Sequence, residues 1–122
     1  MSNVAPKIAL DYSKNRIRIC YSTLEALSNP TYVAFLINPD KKTIGIMKCN
    51  DSMTEKHRIR PTHTDSRSCE IYSQLFLEKM RQLNVGFVAG HKYELEGVRV
   101  PDKDIVLFSL NNYVESEEQY VG

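Results

Sequence analysis

Polar and apolar positions alternate clearly over Arg16–Tyr21. Arg16, Arg18 and Cys20 interleave with Ile17, Ile19 and Tyr21, the period-two pattern of a strand buried on one face. Lys7–Tyr12 alternates more weakly and predicts a short strand before it, with Ser13-Lys14-Asn15 as the turn. Ser22 or Thr23 then caps a short helix running to about Ser28, with Leu24 and Leu27 on one face, and Asn29-Pro30 stops it. Tyr32–Ile37 is a nearly all-apolar strand. Asn38-Pro39-Asp40-Lys41 turns the chain, and Thr43–Met47 returns.

Residues 50–66 are polar and read as a linker, with a short strand at His57–Arg60. The earlier order then comes back. Arg67–Tyr72 is a strand, and Ser73 caps a helix over Gln74–Leu83 with Phe76, Leu77, Met80 and Leu83 at helical spacing. Lys92–Val98 alternates as a strand, Val100–Lys103 turns, and Ile105–Leu110 is a final apolar strand. Residues 115–122 form an acidic tail. Tyr21-Ser22 and Tyr72-Ser73 open the two helices, Tyr32 and Tyr93 the strands after them. Pro39-Asp40-Lys41 and Pro101-Asp102-Lys103 make the two hairpin turns. Two related units are therefore expected, 14–49 and 67–110, within a single domain spanning 1–122. An alignment on Tyr-Ser sets Ile19 opposite Glu70; a one-residue slip restores Ile19 to Ile71.

Composition narrows the function classes. With 42% apolar and 25% charged residues, the 122-residue chain has the make-up of a soluble globular domain, not of a disordered one. No apolar run reaches the roughly 18 residues of a spanning helix, so no membrane association is expected. The N-terminal stretch has no long apolar segment, and three cysteines (Cys20, Cys49, Cys69) leave an odd thiol. Both point to a reduced, cytoplasmic protein. The overall net charge of +1 hides an asymmetry, +5 over residues 1–67 and −4 over 68–122, so a polyanion would meet the first half.

Lys14, Arg16, Ile17 and Ile19, followed by Leu24 and Leu27 and by Thr43–Met47, resemble the swapped-hairpin domain of AbrB-like transition-state regulators and antitoxins. Asn15 stands where that family has Gly, Cys20-Tyr21-Ser22 where it has a Pro, and Asn29–Tyr32 where it has Gly-Asp. The resemblance implies half a barrel per unit. Two units in one chain then imply an α+β, mostly β fold: two β-α-β-β units forming a swapped-hairpin-like barrel, as a monomeric pseudo-dimer or a homodimer of such chains. It also implies binding to double-stranded DNA through basic side chains. The candidates are Lys14, Arg16 and Arg18 on the first strand with Lys56, Arg58, Arg60 and Arg67 in the linker. The competing reading is a non-catalytic protein-interaction module on the same scaffold, with a protein partner.

Other chemistry has little support in the sequence. Cys49, His57, His63 and Cys69 carry zinc-ligand groups, but intervals of seven, five and five residues match no usual zinc pattern, so no metal is expected. No nucleophile motif and no glycine-rich phosphate loop is present, so neither an enzyme nor a cofactor is expected. Tyr32, Tyr72 and Tyr93 are expected to pack inward, and Tyr113 and Tyr120 to be exposed.

Overall fold

The structure is a computed structural model that describes residues 5–52, 56–59 and 68–115. It is mostly β, with 47% strand and 16% helix, and its sheet is antiparallel, eight-stranded and nearly closed into a barrel. In chain order the elements are β1 (Lys7–Asp11), β2 (Arg16–Ile19), α1 (Tyr21–Ala26), β3 (Tyr32–Asn38), β4 (Thr43–Cys49), β5 (His57–Arg58), β6 (Cys69–Ile71), α2 (Gln74–Leu83), β7 (Lys92–Arg99) and β8 (Ile105–Glu115). The strands lie side by side as β5-β3-β4-β8-β7-β1-β2-β6. Strands distant in sequence therefore meet, as β4 does with β8, β7 with β1 and β2 with β6.

The period-two pattern decides which face is inside. Ile8 and Leu10 on β1 sit opposite Ile19 and Ile17 on β2, which in turn face Cys69 and Ile71 on β6. These side chains join Ile44, Ile46, Tyr93, Leu95, Val106 and Phe108 in one core. Their burial supplies most of the favourable free energy of folding. Helix α2 covers it with Phe76, Leu77 and Met80. The Tyr12 hydroxyl donates to the Leu77 carbonyl at 2.9 Å and ties β1 to that helix.

Local chemistry explains the boundaries. Asn15 adopts φ 53°, the left-handed angle the β1–β2 turn requires. Ser73 caps α2, its hydroxyl accepting from the Phe76 amide at 3.2 Å. Helix α1 is different. Its N-cap is Cys20, with no side-chain cap; Tyr21 belongs to the helix, and the Thr23 hydroxyl donates instead to the Lys7 carbonyl at 2.7 Å. Its end is also not set by Pro30 alone. Asn29 donates to the Leu24 carbonyl and Ser28 to that of Glu25, with Ser28 at φ 60°, the paired bonds of a Schellman motif. Glycine is the residue that motif favours. Ser28→Gly is therefore expected to stabilise the fold by about 0.5 kcal/mol, read as a higher denaturant midpoint with an unchanged m-value.

Strand β8 runs to Glu115, well past the expected Leu110. The register shifts between Leu95 and Gly97, where β8 carries the extra residues, so that Leu95 pairs with Tyr113 while Gly97 pairs with Phe108. At Gly97 a Cβ would lie 2.6 Å from the Phe108 ring and 2.7 Å from the Leu107 carbonyl oxygen, so the two strands approach there only because the side chain is missing. The residues between α2 and β7 are not a bare connection: Phe87 is buried among Tyr12, Tyr93 and Tyr113. Three of the tyrosine expectations reverse. Tyr32 stands on the outward side of β3, opposite the parity of buried Val33. Tyr72 is 65% exposed, whereas Tyr113 is partly buried against the core.

Candidate interaction surface

The outward positions of β6, β2, β1 and β7 form a charged surface. Glu70 pairs with Arg18, Arg18 with Ala9 and Ala9 with Glu94; alongside them Arg16 pairs with Asp11, Asp11 with Lys92 and Lys7 with Glu96. Four cations and four carboxylates share this face. Arg16 Nη1 lies 2.8 Å from Glu70 Oε2 and its Nε 3.2 Å from Asp11 Oδ2, and Arg18 Nη2 lies 3.4 Å from Glu70. The Arg16 side chain is 15% exposed, and Arg18 Nε is buried with no hydrogen-bond partner. Desolvation opposes the charge on Arg16, but hydrogen bonds and the Glu70 and Asp11 carboxylates outweigh it, so its pKa rises.

This arrangement brings Arg16 and Arg18 together, yet neutralises both. The charge asymmetry of the sequence is cancelled by topology. The basic first half contributes β1 and β2, the acidic second half contributes β6 and β7, and the sheet sets them edge to edge. Lys14 and Arg58 are exposed. The Lys56 ammonium lies 5.5 Å from the centroid of the Tyr32 ring. Arg60 and Arg67 lie outside the described residues, as do His63 and Tyr120.

On the other half of the outer surface the outward positions of β3, β4 and β8 carry no charge, and exposed Arg58 of β5, opposite Tyr32, borders them. Core-facing Ile44 and Ile46 fix the parity of the hairpin and leave Tyr32, Ala34, Leu36 and Asn38 of β3 outward, with Thr43, Gly45, Met47 and Cys49 of β4. Ile105, Leu107 and Ser109 of β8 continue the same face. One row crosses four strands: Leu36 pairs with Gly45, Gly45 with Leu107, and Leu107 with Val98. Leu36, Leu107 and Val98 are 41%, 43% and 71% exposed. A Cβ built on Gly45 would meet Leu107 at 3.2 Å, Ile105 at 3.5 Å and Leu36 at 3.6 Å, so these aliphatic side chains close over the glycine, which is itself buried. The candidate residues did not include this row. Its sequence signal was the near-continuous apolar run of Tyr32–Ile37 and Ile105–Leu110: in an antiparallel sheet with one wet face, such strands put apolar groups into water.

The thiols and imidazoles are dispersed. Cys69 is buried in the core, Cys20 and Cys49 are half-buried, and none of the three forms a disulfide. Burial, with Glu94 nearby, pushes the Cys20 thiol above its ordinary pKa and away from the reactive thiolate. His57 packs edge-on against Phe35, with ring centroids 5.0 Å apart, and burial lowers its pKa. Among the described residues, no group of three or more His, Cys, Asp or Glu side chains converges on a metal position, and no helix is long and apolar enough to cross a membrane. No family model, curated protein or solved structure matches the chain, so the AbrB-like resemblance rests on the residues that suggested it.

Proposed function

We propose that this chain is a non-catalytic interaction module, built from two β-α-β-β units that interlock as a swapped-hairpin-like barrel, and that it docks a protein partner through the uncharged outer face of β3, β4 and β8. The register supports the two-unit reading. The displacement that carries Pro39 onto Pro101 also carries Leu36 onto Val98 and Gly45 onto Leu107, and both are cross-strand pairs: Leu36 with Gly45, Val98 with Leu107. Across β4 and β8, Thr43 pairs with Ser109 and Met47 with Ile105, so each residue meets the counterpart of the other, centred on Gly45 and Leu107. Strands β2 and β6 pair in the same reciprocal way about Arg18 and Glu70, provided Ile19 is matched to Ile71, the slipped alignment. The strand ahead of each unit lies on the second strand of the other, β1 on β7 and β5 on β3. A lone unit of this kind cannot bury its apolar face, which is why two should interlock.

The observation that carries the function is the exposed aliphatic row Leu36, Leu107 and Val98, which runs across buried Gly45 among outward positions of β3, β4 and β8 that carry no charge. Contiguous exposed apolar surface of this kind marks an interaction site. A second reading, duplex DNA binding, is favoured by exposed Lys14 and Arg58 and by the further cations Arg60 and Arg67 in the linker sequence.

One experiment separates the two. A photo-crosslinking residue is placed at Val98, or at Glu94 on the charged face, and adducts are collected in cells. A discrete protein adduct is expected from position 98, absent from position 94 and abolished by Leu107→Glu. That substitution sits on the surface and should cost less than about 1 kcal/mol of stability. Equal adducts from both positions, or none, would overturn the reading. So would duplex binding at low salt that weakens as salt rises and is lost in Arg58→Ala, the outcome the DNA reading predicts.

A further inference from the structure

The opposite side of β3 carries a cavity that the interaction face does not use. Leu36 points outward, whereas Phe35 and Ile37 point inward and line a space of about 370 Å³ between β3, β5 and the first turns of α2. Its floor is aromatic: the Phe35 and Phe76 rings are 4.6 Å apart and tilted by 33°, and the His57 ring stands edge-on to Phe35. Leu75 also lines it and is 72% exposed, an apolar side chain held in water beside an apolar hollow. Among the described residues, Lys56 and Lys79 are the charged residues of the lining, and no carboxylate is among them.

We propose that this cavity binds a small aromatic carboxylate, its ring laid against Phe35 and Phe76 and its carboxylate directed to Lys79. The volume falls in the range of small-ligand sites, and their usual make-up is the one found here: apolar and aromatic walls with a few polar groups that fix orientation. The tilted Phe35–Phe76 pair offers ring faces for offset stacking. A lysine with no carboxylate among the described lining residues favours an anion over a cation. The Lys56 ammonium is engaged at the Tyr32 ring, which leaves Lys79 as the group that reads the charge.

The test is a titration of the intact protein with 2-naphthoate, its neutral amide and a naphthylmethylammonium ion, followed by backbone NMR shifts. Naphthoate is expected to bind about fivefold tighter than the amide, the worth of one partly exposed ion pair, with shifts centred on Phe35, His57 and Phe76. The ammonium ion should bind more weakly than either. Lys79→Ala should erase the preference for the anion while leaving amide binding unchanged. Leu75→Glu, at an exposed position, should weaken naphthoate binding and leave thermal unfolding unmoved. Equal affinity for acid and amide, shifts elsewhere on the protein, or no binding at millimolar ligand would overturn the proposal. The crosslinking result at Val98 is independent of all of these outcomes.

Discussion

Replacing Tyr93 with alanine should cost about 4–5 kcal/mol, a large share of the stability of a domain this size. Tyr93 is 1% exposed and sits at the centre of an aromatic cluster, its ring 4.9 Å from Phe87, 5.4 Å from Tyr113 and 6.2 Å from Tyr12. Truncation removes the ring and leaves a cavity that rigid neighbours on β1 and β8 cannot fill. The hydroxyl adds a second effect. It accepts from the Val88 amide at 2.8 Å and donates to the Gly86 carbonyl at 3.2 Å, so it anchors the segment that carries Phe87. Tyr93→Phe keeps the ring and loses only the anchor, and should cost about 1–2 kcal/mol. Denaturant unfolding of both variants measures the two parts. A loss below about 2 kcal/mol for the alanine variant would mean that the segment does not seal the barrel as described.

The second large effect is expected at Asp11. Asp11→Ala should cost about 3 kcal/mol at neutral pH. One carboxylate oxygen accepts from the Ser13 hydroxyl at 2.6 Å, the Ser13 amide at 3.0 Å and the Lys14 amide at 3.2 Å; the other accepts from Arg16 Nε at 3.2 Å. The carboxylate therefore closes the β1–β2 turn and balances a poorly exposed guanidinium. Burial pushes its pKa up, but the bonds from Ser13, Lys14 and Arg16 outweigh that and hold it below its ordinary value. A group with a lowered native pKa binds fewer protons folded than unfolded. Its stabilisation is present above about pH 4, the unfolded value, and is lost as pH falls through the native one. The gap between wild type and Asp11→Ala should accordingly be wide at pH 7 and shrink progressively as pH falls below about 4. A gap that does not change with pH would place the loss in packing and not in the charge.

These residues also show what was legible beforehand. Strand and helix types were readable wherever the period was sustained: β2, β3, β4, α2, β7 and the first part of β8 fall where alternation or helical spacing put them. The Ser73 cap and the left-handed Asn15 follow from side-chain chemistry alone. The α1 boundaries were less legible, because Cys20 caps it without a side-chain bond and its end depends on backbone bonds that any sequence can make. The continuation of β8 was hidden by Asn111 and Asn112, polar residues that fall between its two stretches of pairing with β7, Val106–Phe108 and Tyr113–Glu115.

The candidate site was the least legible part. Arg16 and Arg18 do share one face, as their spacing requires, but their partner Glu70 comes from a strand more than fifty residues away. Cross-strand neighbours of that kind are set by long-range register, which local pattern does not contain. The apolar row had a local sign in its uninterrupted hydrophobic runs. What was missing was the knowledge that one face of those strands is solvated.

The central claim is that one polypeptide supplies both interlocking pieces of its own barrel. Isotope-filtered NMR on a mixture of labelled and unlabelled chains tests it directly. Contacts between β2 and β6 around Arg18 and Glu70, and between β4 and β8 around Gly45 and Leu107, should be strong in the uniformly labelled protein and vanish from the spectrum selecting intermolecular contacts. Their appearance in that intermolecular spectrum, or their absence from both, would contradict it.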